Sequence, residues 1–223
     1  MRVQTIFRRF AAALACMLLV SAGPAAAADK PLTIVALGDS LTAGYGLANQ
    51  DAFPAKLQRA LAAKGIAVTV SNAGVSGDTM SGGLARLAWS VPPEADAVIL
   101  ELGANDALRG LDPAVTRRAL DAMLAALARR NIPVLLCGML APRNLGADYA
   151  RAFDPMYPEL AKTYGALLYP FFLEGVAADA KLNQHDGLHP TAAGIDVIVA
   201  KILPKVEELI ARVRSRQGTR QGT

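Results

Sequence analysis

Along most of the chain, short runs of consecutive apolar residues alternate with longer stretches in which apolar positions recur every three or four residues. Residues 32–37 (LTIVAL), 67–70 (AVTV), 97–102 (AVILEL), 133–140 (PVLLCGML) and 166–171 (ALLYPF) have the length and near-continuous hydrophobicity of parallel strands covered on both faces. Between them, residues 53–64, 79–89, 113–130 and 147–164 carry a helical period. Gly65 stands where a helix ends on a left-handed residue, and Asp112-Pro113 reads as a cap followed by a first-turn proline. The last stretch, residues 191–213, sets Ile195, Ile198, Val199, Ile202, Val206, Leu209, Ile210 and Val213 on one stripe, with a kink expected at Pro204. Strand and helix in alternation predict an α/β sandwich on a parallel sheet, whose ligand site lies beyond the carboxyl ends of the strands.

The first 28 residues depart from this pattern. Arg2, Arg8 and Arg9 precede an unbroken apolar run, residues 10–20, which Ser21, Gly23 and Pro24 end before four alanines at 25–28. That order is the layout of a secretory signal peptide, with cleavage expected near Ala28. As a helix the run reaches only about 16 Å, against about 30 Å for a bilayer core, which argues against an anchor. Apolar residues 17–20 follow Cys16, whereas a lipidated cysteine opens the mature chain. Arg8-Arg9 fits a simple positive start as well as a twin-arginine route. At the other end RQGT occurs twice, at 216–219 and 220–223, polar and without apolar period. The expected organisation is a signal peptide (1–28), one domain (29–213) and a disordered polar tail (214–223).

Composition narrows the function classes. With 53% hydrophobic residues the chain has ample surface to bury, which excludes a mainly disordered protein. The signal segment holds three arginines and no acid, so the net charge of +4 becomes +1 without it. Arg212, Arg214, Arg216 and Arg220 crowd the last twelve residues, and the body between carries more acids than bases. The pI of 9.2 therefore belongs to the ends, and no basic face is predicted for nucleic acid. Only Cys137 remains after cleavage, inside an apolar run, where a buried inert thiol is expected. These features predict an exported monomer, periplasmic or secreted, without stable membrane insertion.

Chemistry gathers just after the strands. Gly38-Asp39-Ser40-Leu41 follows the first, Asn72-Ala73-Gly74-Val75-Ser76-Gly77-Asp78-Thr79 the second and Gly103-Ala104-Asn105-Asp106 the third; Asp186-Gly187-Leu188-His189-Pro190 precedes the final helix. Brought to one sheet edge, these pieces supply a hydroxyl, an imidazole, a carboxylate, glycine amides and a carboxamide, the parts for acyl transfer through a serine. A serine hydroxyl needs a base, which neutral histidine provides near neutral pH. The imidazole needs a carboxylate to fix its tautomer, and one tight turn brings Asp186 to His189. The charge developing on the attacked carbonyl needs fixed donors, here the amides of Ser40 and Gly74 and the side chain of Asn105. Singly each residue has a plainer reading: Ser40 and Gly74 as turn formers, Asn105 or Asp106 as a helix cap, Asp186 and His189 as a surface pair. Their joint occurrence after the right strands carries the argument. His185 projects elsewhere when His189 meets Asp186. No Gly-x-Ser-x-Gly and no His-x-x-x-His pair occur, so neither a nucleophile elbow nor a metal site is expected.

In order and spacing, Gly38-Asp39-Ser40-Leu41, Gly74, Gly103-Ala104-Asn105-Asp106 and Asp186-Gly187-Leu188-His189-Pro190 resemble the blocks of the GDSL or SGNH hydrolase family. GDSLTAGYGL, GVSGDT, GANDALRG and DGLHPTAAG are similar to its exported arylesterase, lysophospholipase and thioesterase branch. The resemblance implies a flavodoxin-like three-layer α/β/α sandwich with a five-stranded parallel sheet and no cofactor. It implies Ser40 as nucleophile, Asp186 orienting His189, an oxyanion hole from Ser40, Gly74 and Asn105, and a structural Asp39. Where many relatives carry two prolines before an asparagine, this chain has Pro142-Arg143-Asn144, a departure that bears on substrate preference and not on chemistry.

The expected substrates are small or medium acyl esters, thioesters and lysophospholipids. A flavodoxin-type phosphate or flavin module is the alternative from another class, opposed by Asp39, whose carboxylate repels phosphate. Within hydrolases, a carbohydrate O-acetylesterase is the competitor, and Trp89 as the lone tryptophan offers no aromatic platform for sugars. Tyr45, Leu108, Leu145 and Leu188 are candidates for an apolar pocket wall.

Overall fold

The computed structural model describes residues 31–221; the signal segment expected at 1–28 lies outside them. Five parallel strands, β1 (Leu32–Gly38), β2 (Val68–Gly74), β3 (Ala97–Glu101), β4 (Val134–Cys137) and β5 (Leu167–Tyr169), form one sheet in the order β2-β1-β3-β4-β5. The helices are α1 (Ser40–Ala43), α2 (Phe53–Ala63), α3 (Met80–Ser90), α4 (Ala104–Leu108), α5 (Pro113–Arg129), α6 (Gly146–Phe153), α7 (Met156–Tyr164) and α8 (Ala192–Gln221). α2 packs with α8 on one face, and α3, α5 and α7 pack side by side on the other. This is the three-layer sandwich expected from the sequence. The strands read as continuous hydrophobic runs because both faces are covered: all five residues of β3 and all four of β4 are buried.

The register aligns the carboxyl ends. Gly38 stands opposite Gly74 and Glu101, Glu101 opposite Cys137, and Cys137 opposite Tyr169. Each following loop therefore starts at one level. The order reverses at β1, with β2 on one side and β3 on the other, and the loop after β1 opens at that switch point.

The structure differs from expectation in four places. β2 continues to Gly74, because backbone pairing with β1 carries on through polar edge residues that hydrophobicity does not mark. β4 and β5 are shorter than their apolar runs, which bend together where Phe172 N–H donates to the Gly138 carbonyl at 2.9 Å. The stretch 147–164 is two helices, broken at Asp154-Pro155, where the Asp154 carboxylate accepts from the Ala141 N–H at 2.8 Å. Finally, the disordered tail expected from 214 is helical as far as Gln221. Val213 is buried, Gln217 donates to Asp96 at 3.0 Å and the Thr219 hydroxyl to the Ser215 carbonyl at 3.0 Å, which extends order past the last apolar position. α8 runs on through Pro204 as one element, with the eight stripe residues all buried.

Candidate active site

The loop after β1 is built by its neighbours. Asp39 caps α1, its Oδ1 accepting from the Leu41 N–H at 2.9 Å, and Gly44 closes that single turn in the left-handed region at φ 83. Ser40 is the first residue of α1, so its own N–H has no partner within the helix and is free to serve a ligand. A Cβ at Gly38 would overlap Thr42 Oγ1 and Glu101, so the strand ends on a residue without one.

A second loop delivers His189. Gly187, at φ 70, turns the chain between Asp186 and His189. Asp186 Oδ1 accepts from the Leu188 and His189 N–H groups at 2.9 and 3.0 Å, while Oδ2 meets His189 Nδ1 at 2.6 Å. His189 Nε2 lies 2.9 Å from Ser40 Oγ. The two loops are stitched by Gln184, whose amide donates to the Tyr45 carbonyl at 2.8 Å and the Pro190 carbonyl at 3.0 Å. The Tyr45 ring lies against the imidazole, centroids 4.5 Å apart. Residues 149 positions apart thus form a continuous carboxylate–imidazole–hydroxyl chain. The three backbone and side-chain donors around Asp186, His189 N–H first, hold its carboxyl down at about 2, so it stays an anion over the working range.

Asn105 arrives on α4, which begins after a sharp turn at Gly103, φ 113. One Nδ2 hydrogen goes to Asp39 Oδ2 at 3.1 Å, leaving the second for a ligand. Neither Asn105 nor Asp106 caps this helix. Asp106 is buried and ties α3 to α5, accepting from the Met80 N–H at 2.8 Å and the Thr116 hydroxyl at 2.9 Å. Asp39 is pushed up to about 6 by burial, against the pull of the Leu41 N–H, Asn105 and His189.

Gly74 is not brought to this point. Its N–H donates to Asn72 Oδ1 at 3.0 Å, and a Cβ there would overlap the Ala43 and Asp39 backbone. Gly74 faces a separate groove with Asn72 and Ala43. Its glycine is required by close backbone approach. His185 is exposed in the same loop as His189 and, as expected, takes no part in the chain of hydrogen bonds.

Beside Ser40, Asn105 and His189 opens a cavity of about 260 Å³. Its walls include Leu108, Met139, Leu140, Phe171, Leu173 and Leu188. Leu108 and Leu188 thus line it as expected, Tyr45 instead lies tilted against His189, and Leu145 sits in a short turn, residues Arg143–Leu145, outside it. Pro142 borders the cavity, and Arg143 faces an adjoining groove shared with Leu140. Among the described residues no cluster of His, Cys, Asp or Glu could hold a metal, and no helix is long and apolar enough to cross a membrane.

The residues that sequence reasoning missed lie beneath the loops. Arg86 on α3 reaches the Gly38 carbonyl at 2.8 Å, the Ala73 carbonyl at 2.8 Å and Asp78 Oδ2 at 2.6 Å, fastening the ends of β1 and β2. Glu101 closes β3 under the turn that carries Ser40, accepting from the Thr42 hydroxyl. Each is a charged residue embedded in a buried face, and that placement was the available signal.

Comparisons with known proteins point to one family. A family model described as the GDSL-like lipase/acylhydrolase family matches residues 36–197. The chain is 38% identical over 196 residues to the esterase TesA of Pseudomonas aeruginosa, covering 87% of this chain and 96% of that one. It is 42% identical over 167 residues to thioesterase 1/protease 1/lysophospholipase L1 of Escherichia coli, covering 74% and 77%. The crystal structure of AlinE4, an SGNH-hydrolase family esterase, superposes with a TM-score of 0.68 at 49% identity, over 80% of this chain and 96% of that one. With its sheet, its switch-point loop and three quarters of its length accounted for by such likenesses, the chain belongs to the GDSL-like lipase/acylhydrolase family and is an ester hydrolase.

Proposed function

We propose that this protein is an exported serine esterase acting on small to medium acyl esters, among them aryl esters, thioesters and lysophospholipids, through a Ser40 acyl-enzyme. The observation that carries the reading is the unbroken Asp186–His189–Ser40 chain at 2.6 and 2.9 Å. Ser40 Oγ attacks the acyl carbon as its proton passes to His189 Nε2, and the Asp186 anion stabilises the imidazolium that forms. The carbonyl oxygen gathers charge against the Ser40 N–H and Asn105 Nδ2. His189 then returns the proton to the leaving oxygen or sulfur. A water molecule, deprotonated by the same nitrogen, attacks the acyl-enzyme, and Ser40 Oγ leaves with the proton held by His189.

We assign the third oxyanion donor to Gly77 in place of Gly74. The Gly77 carbonyl is gripped by Arg109 Nη2 at 2.8 Å, one helical turn beyond Asn105, so this turn is moored on the helix that carries the carboxamide. In a crystal of Ser40 modified by an alkyl fluorophosphonate, the phosphonyl oxygen is expected about 2.7–3.1 Å from the nitrogens of Ser40, Gly77 and the Asn105 side chain. Contact with Gly74 N instead would refute the assignment.

The apolar wall supports an acyl chain as the occupant of the cavity. At about 260 Å³ the cleft is larger than a closed cavity of about 150 Å³ that accepts a six-carbon ring, which leaves room for a medium-length acyl chain. Half-exposed Leu108, Leu140 and Leu188 form that rim. Export rests on residues 1–28, and cell fractionation with mass determination tests it: protein outside the cytoplasm cleaved near Ala28 is expected, and full-length protein confined to the cytoplasm would overturn it. For the chemistry, Ser40→Ala is expected to lower p-nitrophenyl butyrate hydrolysis at least about 10³-fold and to abolish fluorophosphonate labelling. Wild-type rates in that variant would end the reading.

A further inference from the structure

No step of that mechanism uses Glu101, yet the fold goes to some trouble to hold it. It ends β3 within an otherwise apolar run, and none of it reaches solvent. Its Oε2 accepts the Thr42 hydroxyl at 2.7 Å and, at a longer 3.4 Å, the Asp39 N–H. Those two residues lie on either side of Ser40. The other oxygen, Oε1, is buried with no hydrogen-bond partner. The titratable groups in reach are Asp39 from the loop above, Cys137 from β4 and Tyr157 from α7, none of them a cation.

We propose that Glu101 is a positioning residue for the nucleophile, its carboxyl gripping the Thr42 hydroxyl and the Asp39 amide from below so that the first turn of α1 presents Ser40 to His189. Packing alone does not account for it. A leucine or methionine would fill the volume without stranding an oxygen, and a buried unsatisfied polar atom in a native fold calls for a local reason. Gly38 points the same way, since the strand is pared back to hydrogen at the place where Thr42 and Glu101 meet. Burial first, and the neighbouring Asp39 second, push the Glu101 carboxyl above the usual carboxylate range. The oxygen facing Thr42 and Asp39 accepts from both, and the Asp39 carboxyl in turn holds the Asn105 amide.

The inference rests on Ser40 being the nucleophile, so Ser40→Ala accompanies every measurement. Steady-state hydrolysis of p-nitrophenyl butyrate, the rate of fluorophosphonate labelling and thermal midpoints are to be recorded for Glu101→Ala, Glu101→Gln and Thr42→Val. Glu101→Ala is expected to lower kcat and labelling rate about 30- to 100-fold with KM within about twofold, as for a nucleophile displaced by a fraction of an ångström. Glu101→Gln, whose amide oxygen can accept the same two hydrogen bonds, should recover to within about threefold of wild type. If the alanine variant does not fold, Thr42→Val reads the same contact from above, with an expected fall in kcat of about five- to tenfold. A glutamine variant as impaired as alanine at equal thermal midpoint, or unchanged kcat in Glu101→Ala or Thr42→Val, overturns the proposal. Inactive Ser40→Ala beside unimpaired Glu101→Ala sinks this inference alone, whereas active Ser40→Ala sinks the functional reading itself.

Discussion

Two aspartates flank the same serine–histidine pair and answer to opposite environments. Asp186 stands in a loop with its side chain 37% exposed and draws three N–H donors onto its two oxygens. Asp39 is buried, with Leu41 and Asn105 as donors and burial working against its charge. The first lies at about 2 and the second at about 6. Identical side chains thus settle differently: the loop aspartate is held as an anion against His189, and the buried one carries a charge that burial makes costly. Solvent and donor count decide the role, not residue type.

Four variants would break or sharpen that contrast. Asp186→Asn should have the largest effect, a fall in kcat of about 10⁴-fold, because the amide can leave His189 in the wrong tautomer. Hydrolysis of p-nitrophenyl esters measures it, and a loss under tenfold would show that the loop charge is dispensable. Asn105→Ala should cost about 10²–10³ in kcat with KM little changed, as for a donor used mainly in the transition state; a change confined to KM would contradict that role.

Asp39→Asn separates the two aspartates by stability. For wild-type Asp39, raised from 3.8 to about 6, the native state keeps a proton that the unfolded chain has released. Stability therefore declines as pH rises from about 4 to about 6. Asp186 has the opposite sign: lowered from 3.8 to about 2, it adds stability above about 4 that is lost as pH falls toward 2. Thermal midpoints relative to wild type should move upward for Asp39→Asn between pH 4 and pH 7, and downward for Asp186→Asn between pH 2.5 and pH 5. Equal trends in both variants would erase the distinction. Smallest is Tyr45→Ala, which removes the ring packed on His189 and should lower kcat about two- to fivefold, read from the same ester assay. A larger loss would make Tyr45 more than a support.

Much of this was legible before any coordinates. The strand-and-helix alternation gave the sandwich, and Ser40, Asn105, Asp186 and His189 were marked by standing where strands end or the last helix begins. Gly74 shows the limit. Spacing says that a glycine follows β2, but whether its N–H is free depends on Asn72, whose side chain takes it. The break at Asp154-Pro155 carried a proline that helical period alone overrode. Glu101 and Arg86 were hidden differently, because a charge inside an apolar run becomes meaningful only when its partners, 59 and 48 positions away, are brought to it.

The order in which these parts leave the ribosome has its own consequence. The serine, its supporting acid and the walls of the cavity up to Leu173 all precede residue 174, whereas the imidazole follows at 189, stapled ahead of the helix that packs under β3, β4 and β5. A nascent chain short of residue 189 holds the Ser40 hydroxyl without the imidazole that meets it. The 189-residue span between the start of the chain and that imidazole must therefore be made before the hydrogen-bonded chain of Asp186, His189 and Ser40 can close.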